Sequence, residues 1–192
     1  MDIFAADLNQ DNSLKSGDLL LSEPLMADDN FVRSVILICD HNEENGSFGL
    51  ILNEPSDMSV SEATQSLFED DALYIGGPVE QNTLHFIHTF GTIKGCIHVQ
   101  NGVYWGGEFD QIKALSVAGK INQKNFRFFR GYSGWEHKQL TQELEHNSWV
   151  IAQMNLVDMF QTQTEDLWKN IMESKGARFK MLANYPTDPN LN

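Results

Sequence analysis

Only two of the 192 residues are cysteine, Cys39 and Cys96, and each lies inside an apolar, strand-like run. A disulfide framework of the kind that staples small secreted domains is excluded, and a reducing compartment is the expectation. Spacing leaves open whether the two thiols meet in space. Positive charge is also scarce: 13 Lys and Arg stand against 27 Asp and Glu, a formal net charge of -14. The resulting negative potential repels phosphate backbones and anionic headgroups, so neither direct duplex-DNA binding nor membrane attachment is expected. No apolar run approaches the ~20 residues of a membrane helix. The opening stretch MDIFAADLNQDNSLKSGD lacks the basic flank and apolar core of a signal peptide, which makes the cytoplasm the expected location. There is no internal repeat and no low-complexity tract.

A hydrophobic share of 41% is enough for a sizeable core. The reading is one domain over residues 1–192, with loose ends at about 1–14 and 183–192. Ser34 to Asp40 and Phe48 to Asn53 are apolar at odd and even positions alike, which predicts a central hairpin buried on both faces. Centring it near Glu44-Asn45 sets His41 opposite Phe48 and Asn53 near Ile36, so His41 and Asn53 are not ladder neighbours. Ser59 and Glu62 have the spacing of a capping box, opening a helix to about Phe68. Two strand-like runs joined by Gly76, Gly77 and Pro78 follow, then a hairpin turning at Asn101-Gly102. Asp110 is placed to cap a helix through Ala118, with Gly119 at its exit. The last third reads as a strand at Phe126 to Phe129, a helix from Glu136 to His146, a strand at Trp149 to Ala152, and a helix capped by Thr164 that ends before Gly176. Strands joined by hairpins and interrupted by helices define an α+β class with mainly antiparallel pairing.

Three blocks carry a more specific signal. They are Phe31, Ser34, Val35, His41, Gly49 and Asn53; then Gly76, Gly77, Pro78 and His85; then Gly131, Tyr132, Gly134, Trp135, Gln139, Leu140, Glu143 and Trp149. In that order, over roughly residues 17 to 175, the chain resembles the YqgE/AlgH family of bacterial proteins. The resemblance implies a flattened, barrel-like arrangement of mostly antiparallel strands with helices packed outside, and a regulatory role in transcription. Two features depart from compact members: the acidic loop NEENGSF is longer, and Ser47-Phe48 stands where a smaller pair is common.

Ser133, in Gly-Tyr-Ser-Gly-Trp, invites comparison with a nucleophile elbow, which needs Gly-x-Ser-x-Gly and a later histidine base. Only His137 and His146 follow, both on the adjoining helix, so Gly131 and Gly134 read as a tight turn and Ser133 as a local backbone cap, with Trp135 in the core. Leu140 and Leu144 give that helix a buried stripe, leaving Glu143 and Glu145 mostly solvated. His85, His88, Cys96 and His98 include good zinc ligands, but residues three apart in a strand point to opposite faces. No phosphate loop is present, since GPVEQN lacks its lysine and spacing. No cofactor and no metal are therefore expected. The acid-free segment Gly119 to Gly131 holds Lys120, Lys124, Arg127 and Arg130 among phenylalanines, which strand alternation reads as core rings flanked by solvated cations.

Two functions follow. One is a non-enzymatic interaction or regulatory protein that acts on transcription indirectly, through a protein or small-molecule partner. The other is a small-molecule-binding protein or enzyme whose candidate pocket, near Gly76–His85, includes His41, Asn53, Gly76, Gly77, Pro78 and His85.

Overall fold

The computed structural model describes residues 13–42, 44–65, 68 and 71–185. Half of the sheet is built from four apolar stretches of the chain. They are β1 (Leu19–Ser22), β2 (Val35–Asn42), β3 (Gly46–Ile51) and, from the far end of the sequence, β10 (Trp149–Ala152). They run antiparallel in the order β10-β1-β2-β3. Both faces are buried, as two-sided apolarity requires. Leu19, Leu21, Leu37 and Leu50 pack on one side with Trp168 and Met172 of α5 (Leu167–Ser174), beside α4 (Leu156–Met159) and α6 (Ala177–Ala183). Leu20, Ile36 and Ile51 pack on the other with Leu140 of α3 (Gln139–Glu145).

The second half is built around β9 (Phe126–Trp135), which pairs with β3, β5 (Ala72–Ile75) and β6 (Val79–His88). Among the described residues only the β5–β9 pairing is parallel; β4 (Pro55–Ser59) joins β5, and β8 (Val103–Trp105) and β7 (Ile97–Gln100) extend the sheet beyond β6. Phe86, Phe126 and Phe128 pack here with Val60 of α1 (Val60–Ala63) and Ile112 of α2 (Phe109–Val117). The class is therefore α+β, with a mostly antiparallel sheet. The barrel-like arrangement that the resemblance implies is met only in part: among the described residues the strand path runs from β10 to β7 without joining its ends, so the sheet is open.

Several boundaries differ for physical reasons. The hairpin pairs Asn42 with Gly46, which sets His41 opposite Ser47 and Asp40 opposite Phe48, and a bulge between Ile38 and Asp40 shifts the register by one further residue toward Ile36. The capping box forms, with Glu62 N–H donating to Ser59 Oγ at 3.3 Å and Ser59 N–H to Glu62 Oε2 at 2.8 Å. The helix nevertheless stops at Ala63, followed by Gln65 at φ 54°; residues 66, 67, 69 and 70 lie outside the described residues. Asn101 and Gly102 both take positive φ (48° and 79°), the geometry of a tight hairpin turn. Glu108, not Asp110, is the N-cap of α2, and Asp166, not Thr164, is that of α5. That helix does end before Gly176, α5 stopping at Ser174, and α6 begins directly after the glycine. Of the expected loose ends, residues 1–12 and 186–192 lie outside the described residues.

Candidate functional site

The segment around Ser133 is not a turn. β9 continues through it to Trp135, and Ser133, 0% exposed, donates from Oγ to Gly76 O at 3.1 Å. Its partner is therefore distant in sequence rather than local, and no exposed nucleophile exists there. Gly76 and Gly77 explain the close approach. A Cβ on Gly76 would collide with Gly131 O, and Gly77, at φ 152°, has Tyr132 backbone where its Cβ would lie. Only glycine lets the connection between β5 and β6 lie flat on β9.

Trp135 is fixed from the far side. Glu143, on α3, accepts from Trp135 Nε1 at 2.8 Å and Trp149 Nε1 at 2.7 Å through the same Oε2, and from Gln139 Nε2 at 2.9 Å through Oε1. The expectation of a mostly solvated Glu143 is corrected: two nearly buried indoles need an acceptor, and one turn of α3 supplies it. The two indoles meet edge to face at 5.9 Å.

Two hollows adjoin this clamp. One, of about 560 Å³, lies between the start of β3 and the end of β9, and its walls include Ser47, Phe48, Tyr132 and Glu136. The other, of about 400 Å³, reaches toward Glu23, Asp28, Phe31 and Trp149. Val79, Gly134, Trp135 and Gln139 line both, so the two make one groove. Phe48 stacks on Tyr132 at 4.8 Å and on Trp105 at 4.4 Å, which makes the groove's aromatic wall rigid. The residue noted as larger than the family pattern is thus part of the wall.

The candidate pocket residues are distributed differently. His41 bonds to Ser47 Oγ at 2.8 Å near the hairpin loop. Asn53, past the other end of β3, accepts from Val35 N–H at 2.8 Å and donates to Arg33 O at 2.9 Å. The hairpin keeps them apart, so the six residues are not gathered around one cavity. Gly77 and Pro78 line a smaller hollow of about 180 Å³ with Ile51, Glu54 and Gln81. His85 meets Thr83 Oγ1 at 2.9 Å and packs against both Phe48 and Tyr132, where burial lowers its pKa, partly opposed by Glu80.

His88 is buried against Phe126; its Nδ1 accepts from Phe90 N–H at 3.2 Å, which places the ring proton on Nε2, 2.8 Å from Gly106 O. Among the described residues no three His, Cys, Asp or Glu side chains converge as a metal site. Cys39 and Cys96 are free, and burial pushes the Cys39 thiol pKa far up, with Asp40 adding to the rise. Arg127 corrects the reading of solvated cations. It is buried, donating to Leu52 O at 3.2 Å and Met159 O at 3.1 Å, with its guanidinium 4.7 Å over the Tyr74 ring. Desolvation lowers its pKa, and Tyr74 opposes the shift.

An open, mostly antiparallel α+β sheet with an aromatic groove at the β3–β9 seam is the class that the geometry defines. The AlgH-like family model matches residues 19–180, and the chain belongs to that family. A UPF0301 protein of Cytophaga hutchinsonii is 42% identical over 183 residues, covering 93% of this chain and 100% of its own length. One from Chlorobium limicola is 43% identical over 188 residues, covering 96% and 100%. The solution structure of the AlgH protein from Pseudomonas aeruginosa is similar at TM-score 0.71 and 25% identity, over 92% of this chain and 98% of that one. The crystal structure of a Corynebacterium diphtheriae protein gives 0.75 and 26%, over 95% and 100%.

Proposed function

We propose that this protein acts by binding, docking a protein or small-molecule partner in the groove around Trp135, and that any effect on transcription runs through that partner. The observation that carries this reading is the Glu143 clamp, which holds Trp135 in the groove wall before anything binds. A pre-formed wall removes part of the ordering cost of association. Ser133 is buried on Gly76 O and is no candidate nucleophile; a hydroxyl and an imidazole do meet at the groove wall, Ser47 Oγ and His41 Nδ1 at 2.8 Å, so turnover of a bound ligand is the outcome that would overturn the reading. Two free cysteines and the -14 charge support a cytoplasmic protein that does not grip duplex DNA. The alternative of a pocket at Gly76–His85 has less support, because the hollow at Gly77 and Pro78 is about 180 Å³, below the ~300–1,000 Å³ of ordinary ligand sites.

A thermal-shift screen against nucleotides, metals and common metabolites tests the proposal, using the wild type and Gly134→Leu, which fills the groove floor. A ligand that raises the wild-type melting temperature and leaves the variant unmoved supports groove binding. Equal stabilisation of both proteins, or turnover of a stabilising ligand, overturns it.

A further inference from the structure

The groove's charge is one-sided. Asp40 and Glu136 stand at the Phe48 end and Glu23 and Asp28 at the Trp149 end, while among the described residues no Lys, Arg or His lines either hollow. Glu143 also faces the second hollow, but its oxygens are occupied by Trp135, Trp149 and Gln139. Lys138 and His137 face a separate hollow beside Glu44 and Glu145. Between the acidic ends the shared lining is mainly apolar, with Val79, the Trp135 ring and the bare backbone of Gly134, beside the Gln139 side chain. Glu23 is partly buried, and desolvation raises its carboxyl pKa, so a cation arriving beside it would gain more than one meeting a solvated acid.

Resting on the reading of the groove as a docking site, we infer that its occupant is a basic, extended segment of a partner protein. Lys or Arg side chains meet the acids at the two ends, and an apolar residue lies over Gly134 and Val79. Charge complementarity selects the ends and steers association to an acidic molecule. Size selects a peptide: hollows of about 560 and 400 Å³ call for branched or aromatic side chains between the cations, not the thin methylene chain of a polyamine.

The test is to pan a random nonapeptide display library on the full-length protein in 150 mM salt, about the physiological ionic strength, and to measure enriched peptides by fluorescence polarisation. The expected winners carry net positive charge around an apolar centre. Each weakens about tenfold or more in Asp40→Lys and Glu136→Lys, as charge reversal at a steering contact should produce. Asp57→Lys, the same charge change on exposed β4, leaves affinity unchanged. Equal weakening by Asp57→Lys overturns the inference, because the protein's overall charge would then suffice. Displacement by spermidine at matching affinity overturns it in favour of a small amine. Neutral or acidic winners that Gly134→Leu excludes overturn the basic segment while leaving the docking site standing. No enrichment over Gly134→Leu overturns both. If Gly134→Leu does not fold, the charge reversals decide, since Asp40 and Glu136 are exposed.

Discussion

Trp135 and Trp149 donate to one carboxylate oxygen, Glu143 Oε2, at 2.8 and 2.7 Å, and so tie the end of β9 to the edge strand β10 through a helix between them. Glu143→Ala leaves two nearly buried indole N–H groups without this acceptor. Each unsatisfied donor costs about 1–3 kcal/mol. Denaturant melts should show a loss in that range or above, and Glu143→Gln, which retains a carbonyl acceptor, should lose less. Equal stability of wild type and Glu143→Ala would show the clamp to be energetically idle.

Trp135→Ala should cost about 3–5 kcal/mol, the usual range for a large aromatic deleted from a core. Ser133→Ala should cost much less, about 0.5–1.5 kcal/mol, because Gly76 O retains a second donor, Ile51 N–H at 2.9 Å. Denaturant melts that reverse this order would give the serine a role beyond its hydrogen bond.

Stability should fall as the pH drops below about 6.5, the ordinary histidine value. Burial lowers the pKa of His88 in the folded state, with the Gly106 hydrogen bond partly opposing it, so the unfolded chain binds the proton more readily. With more protons on the unfolded state, unfolding free energy rises with pH between the lowered folded pKa and 6.5. Below that window the advantage of the neutral ring is gone. Protonation also destroys the Nδ1 acceptor used by Phe90 N–H. His85 shifts in the same direction. Melts from pH 7.5 to 5 should steepen this loss in the wild type and flatten it in His88→Phe; identical slopes would refute the assignment.

Duplex DNA should not bind with useful affinity. Phosphate-driven binding weakens steeply between about 50 and 200 mM salt. This chain sets 13 Lys and Arg against 27 acids, and the most enclosed cation of its basic segment, Arg127, is engaged with backbone carbonyls. Saturable submicromolar binding at 50 mM that collapses at 200 mM would make a direct DNA-binding regulator the better account.

Patterns confined to one element were legible in the sequence. The Trp149–Ala152 strand, the Ser59–Glu62 box and the Asn101-Gly102 turn each follow from local apolarity or backbone preference. What escaped depends on neighbours distant in the chain. Gly131 and Gly134 read as a turn, yet Gly131 takes φ 63° inside a strand, where a Cβ would meet Gly77 O and Val79 O. The register of the β2–β3 turn is not fixed by alternation, which misplaced His41, and the one-residue bulge in β2 beyond it is invisible to the same pattern. Arg127 and Glu143 look solvated in one dimension, because the carbonyls and indoles that hold them belong to other elements. The groove was missed for the same reason: β3, β6, β9 and α3 each contribute only a few of its residues.

The central place of β9 also bears on how the chain is made. During synthesis β3, β5 and β6 all emerge before residue 126, and each later pairs with β9. Until then their unsatisfied backbone edges are open templates for strands of other nascent chains. The β2–β3 hairpin can close early, but the second half of the sheet must wait for a strand that forms late and joins partners distant in sequence. Such pairings are slow and exposed to aggregation. Truncation just before Phe126 would therefore yield insoluble product, and overproduction should be most forgiving where elongation through β9 is fast relative to the encounter of unfinished chains.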